Sequence, residues 1–284
     1  MQASISDIRI DMPPVPADAV PAVVRSVLLV VAMEQEAMPI ISRFSMRKLE
    51  HRFLPGAPFV AWEGRVGGDG DGDGDDGLTL RLVWCGRDDR FGGNNVATTA
   101  ASVATYAAVS ALGDPKPDLV ISVGTAGGFS ERGARVQDVY LSTKCVFHAR
   151  RIPEEGRGGE LEEQGFGHYR SPPLAGLAAA AGVKLGVVTT SDSLDVTQTD
   201  MDMMLAEGAV VKEMEAAAVA WVCKQLGLPF VALKAITDLV DGGETTREEF
   251  ETNLTAAAEA LQEKLGLVLG LVRERPLKAW ARKI

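Results

Sequence analysis

The 284-residue chain predicts an α/β protein: a single three-layer α/β/α domain around a central twisted mixed, largely parallel sheet. Three observations carry that expectation. Apolar runs of strand length, such as SVLLVVA at 26–32 and DLVISV at 118–123, suit strands buried on both faces. Helical stretches alternate with them, as a layered α/β domain requires. Neither an internal repeat nor a domain linker interrupts the alternation.

In chain order, residues 1–25 form a loose N-terminal tail, 26–275 the domain and 276–284 a C-terminal tail. After SVLLVVA a helix starts near Met33 and carries Ala37, Met38, Ile40, Ile41 and Phe44. Strands at 59–62 and 78–85 flank a low-complexity surface loop, GGDGDGDGDDG at 67–77. A long helix with little charge covers 94–112. DLVISV then ends in Gly124-Thr125-Ala126-Gly127-Gly128, a run suited to a tight strand-to-helix turn. Further strands are expected at 139–147, 184–190 and 229–236. In the last helix, Thr246 and Glu249 are placed for a capping box. Phe250, Leu254, Leu261, Leu265, Val268 and Val272 follow at helical spacing, and Pro276 closes it.

Composition excludes several classes. A net charge of −10 argues against a surface that tracks nucleic-acid phosphates. No apolar run reaches the roughly 18 residues of a membrane span. The first residues carry Asp7, Asp11 and Asp18 among four prolines, unlike a signal or transit peptide. Cys85, Cys145 and Cys223 are too few and scattered for a disulfide framework, which fits a cytoplasmic setting. His51, His148 and His168 lack metal-ligand spacing, so neither metal nor cofactor is expected. Asp69-x-Asp71-x-Asp73-Gly74 begins like a calcium loop, but its twelfth position is Leu80 and its flanks are strand-like. A solvated hairpin loop is the expectation there.

Ligands of open α/β sheets bind beyond the carboxyl ends of strands. Five predicted strand ends deliver MEQE (33–36), GTAGG (124–128), TSDSLD (190–195), KEME (212–215) and TD (237–238). Each alone is weak. Glu34 and Glu36 could be solvated helix caps, and Asp238 could cap a turn. Together they place Glu36, Glu215 and Asp238 at one rim. Three acids suit cleavage of a ribosyl–adenine bond, by analogy with glycoside hydrolysis. One carboxyl protonates the leaving base, one carboxylate activates water, and one accepts bonds from the ribose hydroxyls. The acid must stay protonated near neutral pH, and Asp238, behind an apolar run, is placed for burial to achieve that.

The ordered motifs VAMEQEA (31–37), VGTAGGF (123–129), TTSDSLD (189–195), KEMEAAAVA (212–220) and AITDLVDG (235–242), with FHARRIP (147–153), carry a resemblance. The chain resembles the plant-type branch of the 5′-methylthioadenosine/S-adenosylhomocysteine nucleosidases, in the nucleoside phosphorylase-like superfamily. The resemblance implies hydrolysis of 5′-methylthioadenosine, with S-adenosylhomocysteine a further substrate to consider, to adenine and a 5-thioribose in methionine salvage. It implies that Glu36 is the proton acceptor, that Asp238 is the proton donor, and that Thr237 orients Asp238. Met214 and Glu215 match the ribose-binding pair, and Lys212 and Glu213 border that segment. Thr125 matches a pocket-lining position, while Leu194 and Asp195 match the stretch whose backbone reads the adenine edge. It also implies a homodimer, with part of 149–173 at the interface. The chain departs from the pattern at Ala149, where an acid often follows the histidine, and in the glycine- and glutamate-rich stretch 154–167.

Two alternatives remain. A phosphate-dependent phosphorylase on the same fold would need cations around a dianion, and Arg87 and Arg90 could supply them. Glu36 opposes that reading by putting negative charge where the anion enters. A non-catalytic storage or nucleoside-binding protein could also share the fold, although it would be free to lose the three acids.

Overall fold

The computed structural model describes residues 23–49, 56–67, 77–113, 115–151, 164–242 and 246–281, with side chains undescribed at 246–249. Most of the N-terminal tail, His51, residues 68–76 of the Gly/Asp loop, the middle of 149–173, the capping-box side chains and the last three residues lie outside the description.

The described elements are β1 (Ser26–Val31), α1 (Glu34–Arg43), β2 (Arg47–Leu49), β3 (Val60–Val66), β4 (Leu78–Trp84), α2 (Ala97–Leu112), β5 (Leu119–Gly128) and β6 (Val139–Phe147). They continue as β7 (Tyr169–Arg170), α3 (Ala175–Ala181), β8 (Lys184–Thr190), α4 (Gln198–Ala206), β9 (Ala209–Glu213), α5 (Ala216–Leu226), β10 (Phe230–Leu239) and α6 (Thr246–Glu274). Every residue of β1 and β5 is buried, which explains why their sequences show no polar alternation.

The sheet is mixed. Its order is β10-β6-β8-β9-β5-β1-β4-β3-β2, and β10 also pairs with β5. Strands β5, β10, β6, β8 and β9 therefore close into a ring, from which β1, β4, β3 and β2 extend. β1, β4, β5 and β10 are mutually parallel, as are β6, β8 and β9. The two sets run in opposite senses, so the carboxyl ends of β5 and β9 meet head-on, with Gly127 opposite Lys212. The five strand ends expected to converge therefore arrive from two directions.

Two apolar cores make the three layers. On one face Ile40 of α1, Leu177 of α3, and Leu261, Leu265 and Val268 of α6 pack on Leu29, Leu80 and Ile121. On the other, alanine-rich α2 and α5 pack through Ala101, Ala104, Ala108, Ala217 and Cys223 on Leu28, Val83 and Val120. No helix among the described residues is long and apolar enough to cross a membrane.

Two strands outrun their predicted ends. β5 continues through Gly124–Gly128 instead of turning, and β10 continues through Thr237 and Asp238 to Leu239. The glycines give room here, not a bend. A Cβ on Gly124 would stand 3.1 Å from Glu36 Oε1, and one on Gly127 would stand 3.0 Å from Asp238 Oδ2. The expected helix start at Asn94 moves to Ala97, because Asn94 bridges to Arg87 and Asn95 N–H bonds to Gly86 carbonyl.

Candidate active site

Glu36 sits in the first turn of α1, where chain direction alone predicts a solvated cap. Glu34 does take that role: it pairs with Arg87, and its N–H bonds to Asn94 Oδ1 at 2.9 Å. Glu36 instead turns inward and is 4% exposed. Its Oε1 accepts the Thr125 N–H at 2.6 Å and the Thr125 hydroxyl at 2.7 Å, and its Oε2 accepts Met33 N–H at 3.2 Å. Burial raises its carboxyl above the ordinary range, while Lys234 and the Thr125 and Met33 bonds pull the other way.

Lys234 is the residue that the motifs did not single out. It lies on β10, is 2% exposed, and its ammonium stands 3.0 Å from Glu213 Oε2. Burial alone would push it down, but Glu213, Glu215 and Glu36 together hold it above its usual value. A signal for it exists in PFVALKAI: a lysine in a strand buried on both faces must be paired.

Glu213, nominated as a substrate-binding residue, has its carboxylate committed inside the protein. It accepts Glu215 N–H at 2.9 Å, Ala216 N–H at 2.8 Å and the Thr190 hydroxyl, besides Lys234. The cause is local. α5 begins at Ala216, and its first amides have no partner within the helix. Glu215 is half-buried beside half-buried Met214, and its Oε1 accepts Ala97 N–H at 2.8 Å. Burial and the neighbouring Glu213 raise the Glu215 carboxyl to about 7, against the pull of Lys234. A raised carboxyl costs stability as pH climbs from its ordinary 4.5 toward 7, because the unfolded chain ionises first.

Asp238 lies at the β10 bulge and is 2% exposed. Fully buried Thr237 has one hydroxyl hydrogen and two oxygens within reach, Ala126 carbonyl at 3.1 Å and Asp238 Oδ1 at 2.7 Å. That hydroxyl donates to one or the other, so Thr237 ties the Asp238 carboxyl to β5. Asn253 of α6 braces this end of β10 by donating to Thr237 carbonyl at 2.9 Å.

Lys212 is 5% exposed and donates to Ser193 carbonyl at 2.9 Å and to Leu194 carbonyl. Burial lowers it, and Asp238 is foremost among the acids that raise it. Leu194 and Asp195 are exposed, and Lys212 fixes the backbone of the segment they share through the Ser193 and Leu194 carbonyls. The structure thus gathers Glu36, Thr125 and Glu215 around Lys234, and sets Asp238 and Thr237 beside Gly127 and Lys212. Among the described residues no group of three or more His, Cys, Asp or Glu is arranged to hold a metal.

The chain has relatives. The phosphorylase superfamily profile matches residues 26–269. A 5′-methylthioadenosine nucleosidase of Arabidopsis thaliana is 37% identical over 255 residues, covering 89% of this chain and 90% of that one. An Arabidopsis 5′-methylthioadenosine/S-adenosylhomocysteine nucleosidase is 36% identical over 249 residues, with 88% and 92% covered. The apo structure of the Arabidopsis 5′-methylthioadenosine nucleosidase superposes with a TM-score of 0.81 over 90% of this chain and 98% of that one, at 37% identity. The chain therefore belongs to the phosphorylase superfamily and, within it, to the 5′-methylthioadenosine/S-adenosylhomocysteine nucleosidases, which are N-glycosyl hydrolases.

Proposed function

We propose that this enzyme hydrolyses the N-glycosidic bond of 5′-methylthioadenosine, releasing adenine and 5-methylthioribose. The observation that carries the reading is Glu36, a buried carboxylate fixed on Thr125 at the mouth of β5. It suits a water molecule, which it can orient and deprotonate, and repels a phosphate dianion. The arginines that a phosphorylase could use are engaged elsewhere: Arg87 with Glu34 and Gly92 carbonyl, and Arg90 over the Phe91 ring.

In this reading Asp238 delivers its proton to a ring nitrogen of the base, and Thr237 keeps that carboxyl oriented. Glu215 accepts bonds from the ribose hydroxyls through the oxygen that Ala97 leaves open, and Met214 packs on the sugar. The backbone of Leu194 and Asp195 reads the adenine edge, with Lys212 and Glu213 as supports. The named Arabidopsis relatives differ in whether S-adenosylhomocysteine appears beside methylthioadenosine, so the larger nucleoside is a second substrate to assay.

A homodimer fits the outer face of α2. That helix carries no charged residue and exposes Val103 (50%) and Tyr106 (58%), and Trp221 of neighbouring α5 is 44% exposed. In a chain of net charge −10, an uncharged face is where a second copy meets least repulsion. A cytoplasmic setting is supported by three free, buried thiols.

The test is to incubate the protein with 5′-methylthioadenosine, with and without phosphate, and to identify the sugar. Free methylthioribose in both tubes is expected. A sugar 1-phosphate formed only with phosphate would establish the phosphorylase instead, and no cleavage would favour a binding protein.

Glu215 adds a pH signature. Its neutral form predominates below about pH 7 and accepts hydroxyl bonds less well. KM should therefore fall as pH rises through that value, and Glu215→Gln should flatten the dependence. An unchanged slope in the variant would remove Glu215 from the sugar.

A further inference from the structure

Asp192 is absent from every role assigned above, yet it links two parts of the site. From the segment after β8 its carboxylate reaches the first turn of α2. Oδ1 accepts Thr98 N–H at 2.8 Å and Oδ2 accepts the Thr98 hydroxyl at 3.0 Å. The residue before Thr98 is Ala97, whose φ is +75°. A residue with a Cβ avoids that left-handed region because the Cβ crowds the following carbonyl. Such a conformation persists only where its surroundings hold it. The Ala97 N–H, aimed by that φ, donates to Glu215 Oε1 at 2.8 Å.

The other side of the same segment is fixed as well. Lys212 holds the carbonyls of Ser193 and Leu194, so Asp192 reaches out from an anchored backbone. A continuous chain of bonds thus runs from Lys212 through 192–194 to Thr98, Ala97 and Glu215.

We propose that Asp192 is a positioning residue that couples the base-reading segment to the ribose-binding carboxylate. By clamping Thr98 it keeps Ala97 in its left-handed turn, and the Ala97 N–H then fixes the rotamer of Glu215. Base and sugar subsites are set together, before the nucleoside arrives. The ligand named here rests on the nucleosidase reading; the clamp does not.

Asp192→Ala should raise KM for 5′-methylthioadenosine about tenfold, the loss expected from a charge-assisted bond pair, with kcat changing less than about threefold. The decisive variant is Asp192→Ala combined with Ala97→Gly. Glycine adopts positive φ without a clamp, so the double variant should recover most of the lost KM. Were Asp192 instead a direct contact to the base, glycine at 97 would restore nothing. Hydrogen exchange of residues 95–101, read without any ligand, should quicken in Asp192→Ala. Unchanged exchange, or a double variant no better than the single, overturns the proposal. A wild-type protein that cleaves no thioadenosine would defeat the nucleosidase reading instead, and the exchange measurement would still decide the clamp.

Discussion

Replacing Asp238 by asparagine is expected to lower kcat by about 10²–10⁴-fold while the protein remains folded. Asparagine matches the shape of the carboxyl and can still meet Thr237 through its oxygen. It has no acidic proton for the base, so the glycosidic bond must break with adenine leaving as a poorly stabilised anion. Lys212, the cation beside it, already donates to the carbonyls of Ser193 and Leu194. Steady-state rates, with a urea unfolding curve on the same sample, check both halves of the statement. Near-normal turnover would exclude Asp238 as the acid, and a collapsed unfolding midpoint would show that the change had done more than remove a proton.

The second large effect is on stability. Lys234→Met should cost about 3–5 kcal/mol, the range for removing one partner of a buried ion pair. The variant would leave Glu213 facing an apolar side chain at 1% exposure, with Glu215 and Glu36 also losing their shared counter-charge. The sign with pH follows. Glu36 and Glu215 already sit above their ordinary 4.5, and losing the ammonium raises them further. A carboxyl raised in the folded state favours folding at low pH and loses that contribution as pH climbs past its unfolded value. The deficit against wild type should therefore be small below about pH 4.5 and widen toward pH 8. Urea midpoints at the two ends measure it, and a deficit of equal size at both would show that packing, not charge, was lost.

How much of this could be read beforehand depends on what each residue had to reveal locally. The layered class was legible because burial on both faces leaves runs like SVLLVVA without polar alternation. The three acids were legible only jointly, as residues following strands. Lys234 falls inside the predicted strand 229–236, but its meaning lies in Glu213, Glu215 and Glu36 on two other segments. The glycines after DLVISV suggested a turn because glycine usually signals one. The space that they leave for Glu36 and Asp238 exists only once α1 and β10 are packed against β5. Asp192 lacked any local signature: the strain it holds is a backbone angle at Ala97, an alanine like any other in the sequence.

Strand β5 also acts as a ruler. Glu36 rests against Gly124 and Thr125, and Asp238 against Gly127, so the two carboxyls are stationed two or three residues apart on one extended backbone. At about 3.3 Å per residue the strand spaces those stations by roughly 7–10 Å. That span is close to the separation of about 6.5–9.5 Å that lets a water fit opposite a departing group in inverting glycoside hydrolysis. β10 is laddered to β5 along this stretch, so under the proposed hydrolysis the gap across which water meets the sugar is graduated in whole residues. Inserting one residue into β5 would change it by a full step.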